Sequence, residues 1–209
     1  MGQETEKREQ RSEKREQEAE GRVGAGVQPA DSRLEPWLRG TLTEVEPVRR
    51  AVLHALELAG EDAARWAERL SDAEMFVRPA GLPSVGFQLR HIVRSLDRLL
   101  TYAERGVLSS VELRGGELRV LSEVQMTALR TEMDAGTAVE VLQEFREGLR
   151  SAMERVQAFA PEQFAEVRGV GRKQLPTTVV GLLIHCAEHT QRHVGQMVTT
   201  VKVVRGMGQ

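Results

Sequence analysis

Apolar residues in this chain recur at three- and four-residue steps in four long stretches, and nowhere do they alternate as in half-buried strands. That property points to helices packed on helices. Phe, Trp and Tyr together make up only 4% of residues, so any core must be built from Leu, Val, Ala and Met. Such side chains suit helix packing better than sheet packing.

The first stretch opens at Pro47, proline being favoured at the first helical position, and sets Val48, Val52, Leu56 and Ala59 on one face. Gly60 predicts an interruption, followed by a continuation through Trp66 and Leu70. Ser71 and Glu74 form a capping box for a short turn. A second helix is expected from about Pro83 to Glu104. The third begins at Thr137, with Glu140 as its capping partner, and carries Leu142, Phe145, Leu149, Met153, Val156 and Phe159. The last is expected from Pro176 to about Arg205.

Residues 106–135 connect the second and third helices and hold Gly115-Gly116 and a short helix opened by Ser122 and Gln125. A connection that long lets the two helices run parallel. The predicted fold is therefore all-α, a four-helix bundle over residues 34–209 with a long crossover between helices 2 and 3. Residues 1–33 are the exception. Glu, Lys, Arg and Gln dominate residues 1–22, and a Gly-rich stretch follows from Gly21 to Gly26. With no apolar stripe to bury, this charged tail and linker are expected to be disordered or loosely helical.

Charge and hydropathy narrow the function classes. The formal net charge is −2 and no face is basic enough to follow a phosphate backbone, which argues against nucleic acid as a partner. The longest apolar stretch, Val179 to Ile184, is far too short for a bilayer, so no membrane partner is expected. The N-terminus has no apolar secretory segment. Cys186 is the only cysteine, which excludes an internal disulfide and fits a cytoplasmic location. The expected partner is a small-molecule substrate, with a homodimer as the assembly to test for.

Four of the five histidines lie on the second and fourth helices. His185, His189 and His193 are spaced four apart and form one slowly drifting row on a helix. A His-x-x-x-His pair brings two imidazoles to one point above the helix, a bidentate platform for a metal. Two ligands hold a metal poorly, so a third is needed from another helix, and His91 is the available donor. The histidine row lies beside the apolar stripe of its helix rather than within it, and continues as Thr178, Gln196 and Thr200. On the second helix His91 shares its line with Ser84, Ser95, Arg98 and Tyr102, next to a stripe of Val85, Leu89, Ile92, Leu96 and Leu100. Two polar lanes facing each other would make a cleft with an open metal position.

Competing readings exist. His54, alone on the first helix, reads as a solvated or satisfied core residue. His185-Cys186-Ala187-Glu188-His189 matches the inverted zinc-protease signature, but no Asp or Glu follows His189 to complete a ligand set. Cys186, in mid-helix, reads as packed rather than reactive.

Two segments carry a family resemblance: Val85-Gly86-Phe87-Gln88-Leu89-Arg90-His91 on the second helix, and His189-x-x-x-His193-x-Gly195-Gln196 on the fourth. Over roughly residues 36–205 the chain resembles the DinB/YfiT-like family of metalloenzymes. The resemblance implies a four-helix bundle with one divalent metal, zinc or nickel, on three histidines, which by matching are His91, His189 and His193. His185 and Gln196 are carried as residues supporting those ligands.

Some relatives use bacillithiol in thiol S-transfer or are mycothiol-dependent isomerases. That makes metal-assisted thiol transfer, with a low-molecular-weight thiol as co-substrate, the leading expectation. The basic loop holding Arg168, Arg172 and Lys173 could take a carboxylate of that thiol, or be an ordinary solvated turn. The alternatives are a metal-dependent hydrolase and a non-catalytic metal-binding stress protein. Because ligand imidazoles must be neutral, metal occupancy is expected to fall as pH drops through the mid-sixes.

Overall fold

The Glu46 carboxylate accepts hydrogen bonds from the amides of Val48 and Arg49, both at 3.0 Å, and starts the first helix where Pro47 fixes its opening φ. This cap and others like it define the architecture in a computed structural model that describes residues 34–105, 132–171 and 173–207. The charged tail, Gly115-Gly116, the short helix expected at Ser122, and Arg172 lie outside the described residues. Residues 34–41 fall in a unit of their own. In it a 3-10 turn, Pro36–Leu38, is closed by Arg39 Nε donating to the Leu34 carbonyl at 2.8 Å.

From Leu42 onward the chain forms a second unit, with five α-helices among the described residues. These are α1 Pro47–Ala67, α2 Asp72–Phe76, α3 Val85–Arg105, α4 Ala138–Ala158 and α5 Val179–Met207. Four are long and match the four apolar stretches. The capping boxes of Ser71 with Glu74 and of Thr137 with Glu140 both form. The predicted interruption at Gly60 does not occur. There α1 passes α4 closely, and a Cβ at Gly60 would lie 3.1 Å from Leu149 Cδ2. Contact between helices, rather than a break within one, accounts for that glycine.

Cross-helix pairs give the topology. Arg90 meets Glu144, Val93 abuts Gly148, and Arg155 reaches Asp97 and Glu104. Residue numbers rise together, so α3 and α4 run parallel, as the long crossover requires. Thr200 donates to the Pro83 carbonyl while His193 meets Gln88, so α3 and α5 are antiparallel. Gln191 donates to the Ala55 carbonyl and Lys202 lies over the Trp66 ring, so α1 and α5 are parallel. The core between them is the predicted stripes: Val85, Leu89, Ile92, Leu96 and Leu100 of α3 are all at most 2% exposed.

The last helix starts later than the sequence predicts. Residues Leu175–Thr178 form a strand paired antiparallel with Val167–Val170, and Val167 faces Thr178 in the register. The expected basic loop is thus a β-hairpin, and Pro176 opens no helix. Its missing N–H is tolerated because a two-stranded ribbon leaves an outer edge unpaired. Among the described residues this is the only sheet, and the fold remains all-α in character.

The tightest helix contact yields a stability prediction. A Cβ at Gly148 would sit 2.3 Å from Val93 Cγ1. Alanine there gains roughly 1 kcal/mol of helix propensity, but must displace a β-branched side chain that has few rotamers. Overpacking of this kind costs about 1–3 kcal/mol. Gly148→Ala is therefore expected to lower the urea midpoint, and a midpoint above the parent's would show that α3 and α4 separate freely.

Candidate metal centre

Antiparallel packing of α3 on α5 brings one turn of each helix face to face, with His91 opposite His189 and His193. The imidazole centroids lie 5.2 Å apart for His91 and His189, 4.4 Å for His91 and His193, and 4.5 Å for His189 and His193. One ring nitrogen from each lies within 4.8 Å of the other two. Nitrogens bound to one zinc at about 2.1 Å lie about 3.4 Å apart, so small side-chain rotations close the remaining distance. Among the described residues the donor set is three imidazoles and no carboxylate, which suits a borderline divalent ion. The residues present fit the metal that the family resemblance implies.

Each ring has a neighbour that restrains it. His193 Nδ1–H donates to Gln88 Oε1 at 2.6 Å, leaving Nε2 with its lone pair free to bind. Gln88 is 1% exposed, so this amide is held inside the fold. Fixing the tautomer of a ligand imidazole in this way is the usual task of a supporting group around a metal. The sequence reading missed Gln88. Its signal was a polar residue three positions before His91, on the same face of the helix. The Phe87 ring stacks on His91, 5.7 Å away and 6° from parallel, and Ser95 Oγ lies 3.4 Å from His91 Nε2.

The other predicted residues fall in different places. The His185 ring is 5.6 Å from His189 but outside the converging group, and its Nδ1 donates to Glu188 Oε2 at 3.2 Å. Glu188 also pairs with Arg192 on the exposed side of α5. The His185 hydrogen bond and the Arg192 charge hold its carboxyl below the usual range. The inverted-protease geometry is therefore not formed. Gln196, three residues beyond His193 on α5, pulls the His193 pKa upward against burial. His54 is buried on α1, apart from the three converging rings. Cys186 is fully buried, and burial pushes its thiol up to about 12, so it is a packed residue as expected.

The basic loop is corrected. Arg168 is buried, and its guanidinium donates to the Ala103 and Val167 carbonyls and to Glu166. Ala103 is twelve residues beyond His91 on α3, about 18 Å along the axis. Arg168 ties the hairpin to the far end of that helix and is committed there. Lys173 is exposed in the same hairpin.

Burial, then the charges of His193 and Arg98, lower the His91 pKa to about 4. Burial, then His193, His91, His185 and Arg192, lower His189 to about 4. His193 is also lowered, by burial and by Arg192, against the pull of Gln196. All three rings are thus neutral at neutral pH.

The unfolded chain titrates its imidazoles near 6.5. Between about 6.5 and 4 it binds protons that the native state does not. Metal-free protein should therefore lose stability as pH falls through that window and recover it as pH rises. Urea midpoints between pH 7 and 5, above most carboxylate titrations, should show this slope, and His91→Gln should flatten it. An equally steep slope in the variant would mean that His91 is solvated. Competition between protons and metal also moves below the mid-sixes, because the folded imidazoles resist protonation.

A family model described as the DinB superfamily matches residues 55–197, a span that includes all three converging histidines. No match was found among curated proteins. Among solved structures, a structural-genomics crystal structure of a protein from Streptococcus pneumoniae is similar at 13% identity, covering 77% of this chain and 90% of that one, with a TM-score of 0.48. No helix among the described residues is long and apolar enough to cross a membrane.

Proposed function

The chain belongs to the DinB superfamily, and from the chemistry of its site we propose that it is a divalent-metal-dependent enzyme of thiol S-transferase type acting on a small electrophile. The observation that carries the reading is the convergence of His91, His189 and His193, with no carboxylate in the group among the described residues. When bound there, a divalent ion supplies Lewis acidity that lets a thiol ionise at neutral pH. Neutral, half-buried imidazoles are the protonation state that such an ion needs, and Gln88 keeps His193 in the tautomer that presents Nε2.

A small thiol as the source of the sulfur is what the family resemblance implies, and the burial of the chain's own cysteine supports it. Cys186, the only cysteine in the sequence, is sealed in the core with a thiol pushed up to about 12, so the chain offers no reactive thiol of its own at the site. A diffusible low-molecular-weight thiol brings it. The thiolate sulfur forms the new bond to the electrophilic carbon, the leaving group departs with its electron pair, and the thiol proton goes to solvent. Hydrolysis by the same centre would call for a carboxylate base beside the triad. Glu188, the acidic candidate in the sequence, is occupied by His185 and Arg192.

Elemental analysis of purified protein should find close to one divalent metal per chain. Metal-loaded protein, a fluorogenic electrophile and a panel of small thiols should give thiol-dependent turnover that a chelator removes. Thiol-independent turnover would replace this proposal with the hydrolase, and silence with every thiol would leave a metal-holding protein.

A further inference from the structure

Ser95 lies one turn beyond His91 on α3, is 3% exposed, and directs its hydroxyl at the His91 ring, with Oγ 3.4 Å from Nε2. That is not what a hydroxyl inside a helix ordinarily does. Serine and threonine there usually donate back to the carbonyl four residues earlier. Thr101 does so to Asp97 at 2.8 Å on the same helix, and Thr199 does so to Gly195 at 2.9 Å on α5. Among the described residues the His91 ring is the one partner of the Ser95 hydroxyl.

Neither the helix nor the core accounts for that oxygen. Alanine at this position would favour the helix and leave no hydroxyl to desolvate. The contact with His91 offsets little of the cost, since 3.4 Å is long for a hydrogen bond made by a hydroxyl. A buried polar group held this weakly calls for another explanation.

The distance itself supplies one. Two donor atoms bound to one zinc at about 2.1 Å in tetrahedral geometry lie about 3.4 Å apart. Ser95 Oγ therefore stands from His91 Nε2 where a further donor on the same ion would stand. Nε2 is the outer nitrogen of the ring, and His193 presents the same nitrogen because Gln88 holds its Nδ1. Three histidines, with no carboxylate in the group among the described residues, leave a tetrahedral ion one position for an exchangeable group.

We propose that the Ser95 hydroxyl faces this fourth position and donates a hydrogen bond to the anionic atom of a substrate or inhibitor that occupies it. An O–H bond to an ionised acceptor is stronger than one to a neutral acceptor, so the hydroxyl favours the ionised form of the occupant. Ser95 is thus a substrate-binding residue on the floor of the centre. This rests on reading the triad as a metal centre, and it is independent of the chemical group that the substrate brings.

Cobalt(II) serves as the probe, because its electronic spectrum reports the atoms bound to it. Ser95→Cys places a sulfur at the same point, and a thiolate is a stronger ligand than a hydroxyl for a borderline ion. The cobalt-loaded variant should show a sulfur-to-cobalt charge-transfer band in the near ultraviolet that the parent lacks. Cys186, sealed in the core, contributes none in either protein. Azide, a small anion that takes an open position on cobalt, should bind the parent. It should bind Ser95→Ala about tenfold more weakly, the equivalent of one hydrogen bond to a charged group. It should leave the spectrum of Ser95→Cys unchanged, because the sulfur fills the position. Ser95→Ala should bind cobalt as the parent does and unfold in urea at or above the parent's midpoint.

Absence of a cobalt spectrum in the parent would overturn the metal centre, and this proposal with it. A cobalt spectrum in the parent without a charge-transfer band in Ser95→Cys overturns the placement of Ser95 and leaves the centre standing. Weaker cobalt binding by Ser95→Ala with unchanged azide affinity would mean that Ser95 accepts from Nε2–H and holds His91 from behind, which also overturns the proposal. A lower urea midpoint for Ser95→Ala would make the hydroxyl a structural one and overturn it as well.

Discussion

Replacing His193 with alanine is expected to remove the zinc-dependent rise in melting temperature while leaving the helical circular dichroism spectrum as it was. The rise itself follows from linkage. At zinc concentrations near 100 times Kd the native state gains about 2.7 kcal/mol, since the unfolded chain presents no assembled site. For a chain of this size that corresponds to about 5–10 °C. His193 is the centre of the cluster, within 4.5 Å of both other rings, so its loss leaves two imidazoles without a third. The helix survives because alanine is the best helix former and the core lies on the other face of α5.

His185→Ala is the informative partner to that variant. His185 lies outside the converging group and is tied to Glu188, so it should cost at most about tenfold in zinc affinity. Gln88→Leu should be intermediate, about 10–100-fold weaker, because His193 loses the acceptor that sets its tautomer. Calorimetric titration of the three variants with zinc orders them. Should His185→Ala abolish binding while His193→Ala retains it, the ligands are the other pair in the row and the assignment of roles fails.

The features that could be read from the sequence are those encoded by local spacing. The apolar stripes of α1, α3, α4 and α5 repeat with the helical period, and the Ser71 and Thr137 caps are four-residue patterns, so all were visible in one dimension. The row of His185, His189 and His193 is local in the same sense. That His91 meets it depended on a resemblance and on the need for a third ligand, because no single helix encodes which face its partner presents.

What escaped the reading was set by tertiary contact. The strands of the hairpin are four residues each, too short for alternation to register, and Pro176 carries the same signal at a strand as at a helix start. Gly60 reads as a break unless Leu149 is known to lie against it. Arg168 looks like any solvated loop arginine until the Ala103 carbonyl is brought to it. Gln88 is polar and buried, a combination that composition cannot distinguish from polar and exposed.

Arg90 illustrates the same limit and gives the second large expected effect. Nothing in the pattern of α3 sets it apart from Arg94 or Arg98, yet it is 9% exposed and organises the end of the crossover. Its Nε and Nη2 donate to the Glu144 carboxylate at 2.7 and 3.0 Å, and its Nη1 is directed at the carbonyls of Glu132, Met133 and Ala135. Removing the guanidinium strands carbonyl groups at a buried corner where α3, α4 and residues 132–136 meet. An unsatisfied buried polar group costs about 1–3 kcal/mol, so Arg90→Met, which keeps the aliphatic stem, is expected to lose about 3 kcal/mol of stability.

Half of Glu144 is in solvent, so its loss of a partner adds little beyond that. The consequence should extend to the site. Asp134, in the released segment, accepts a hydrogen bond from Ser84 and pairs with Arg78, and Ser84 caps α3 through the Phe87 amide at 3.0 Å. Phe87 in turn stacks on His91. Loosening that chain should lower zinc affinity by up to about tenfold, less than loss of His193, because the ligands themselves remain. Urea unfolding and zinc titration on one preparation of Arg90→Met test both halves. Unchanged stability would show that water replaces the guanidinium at those carbonyls. Full zinc affinity alongside lost stability would show that α3 positions His91 without help from residues 132–136.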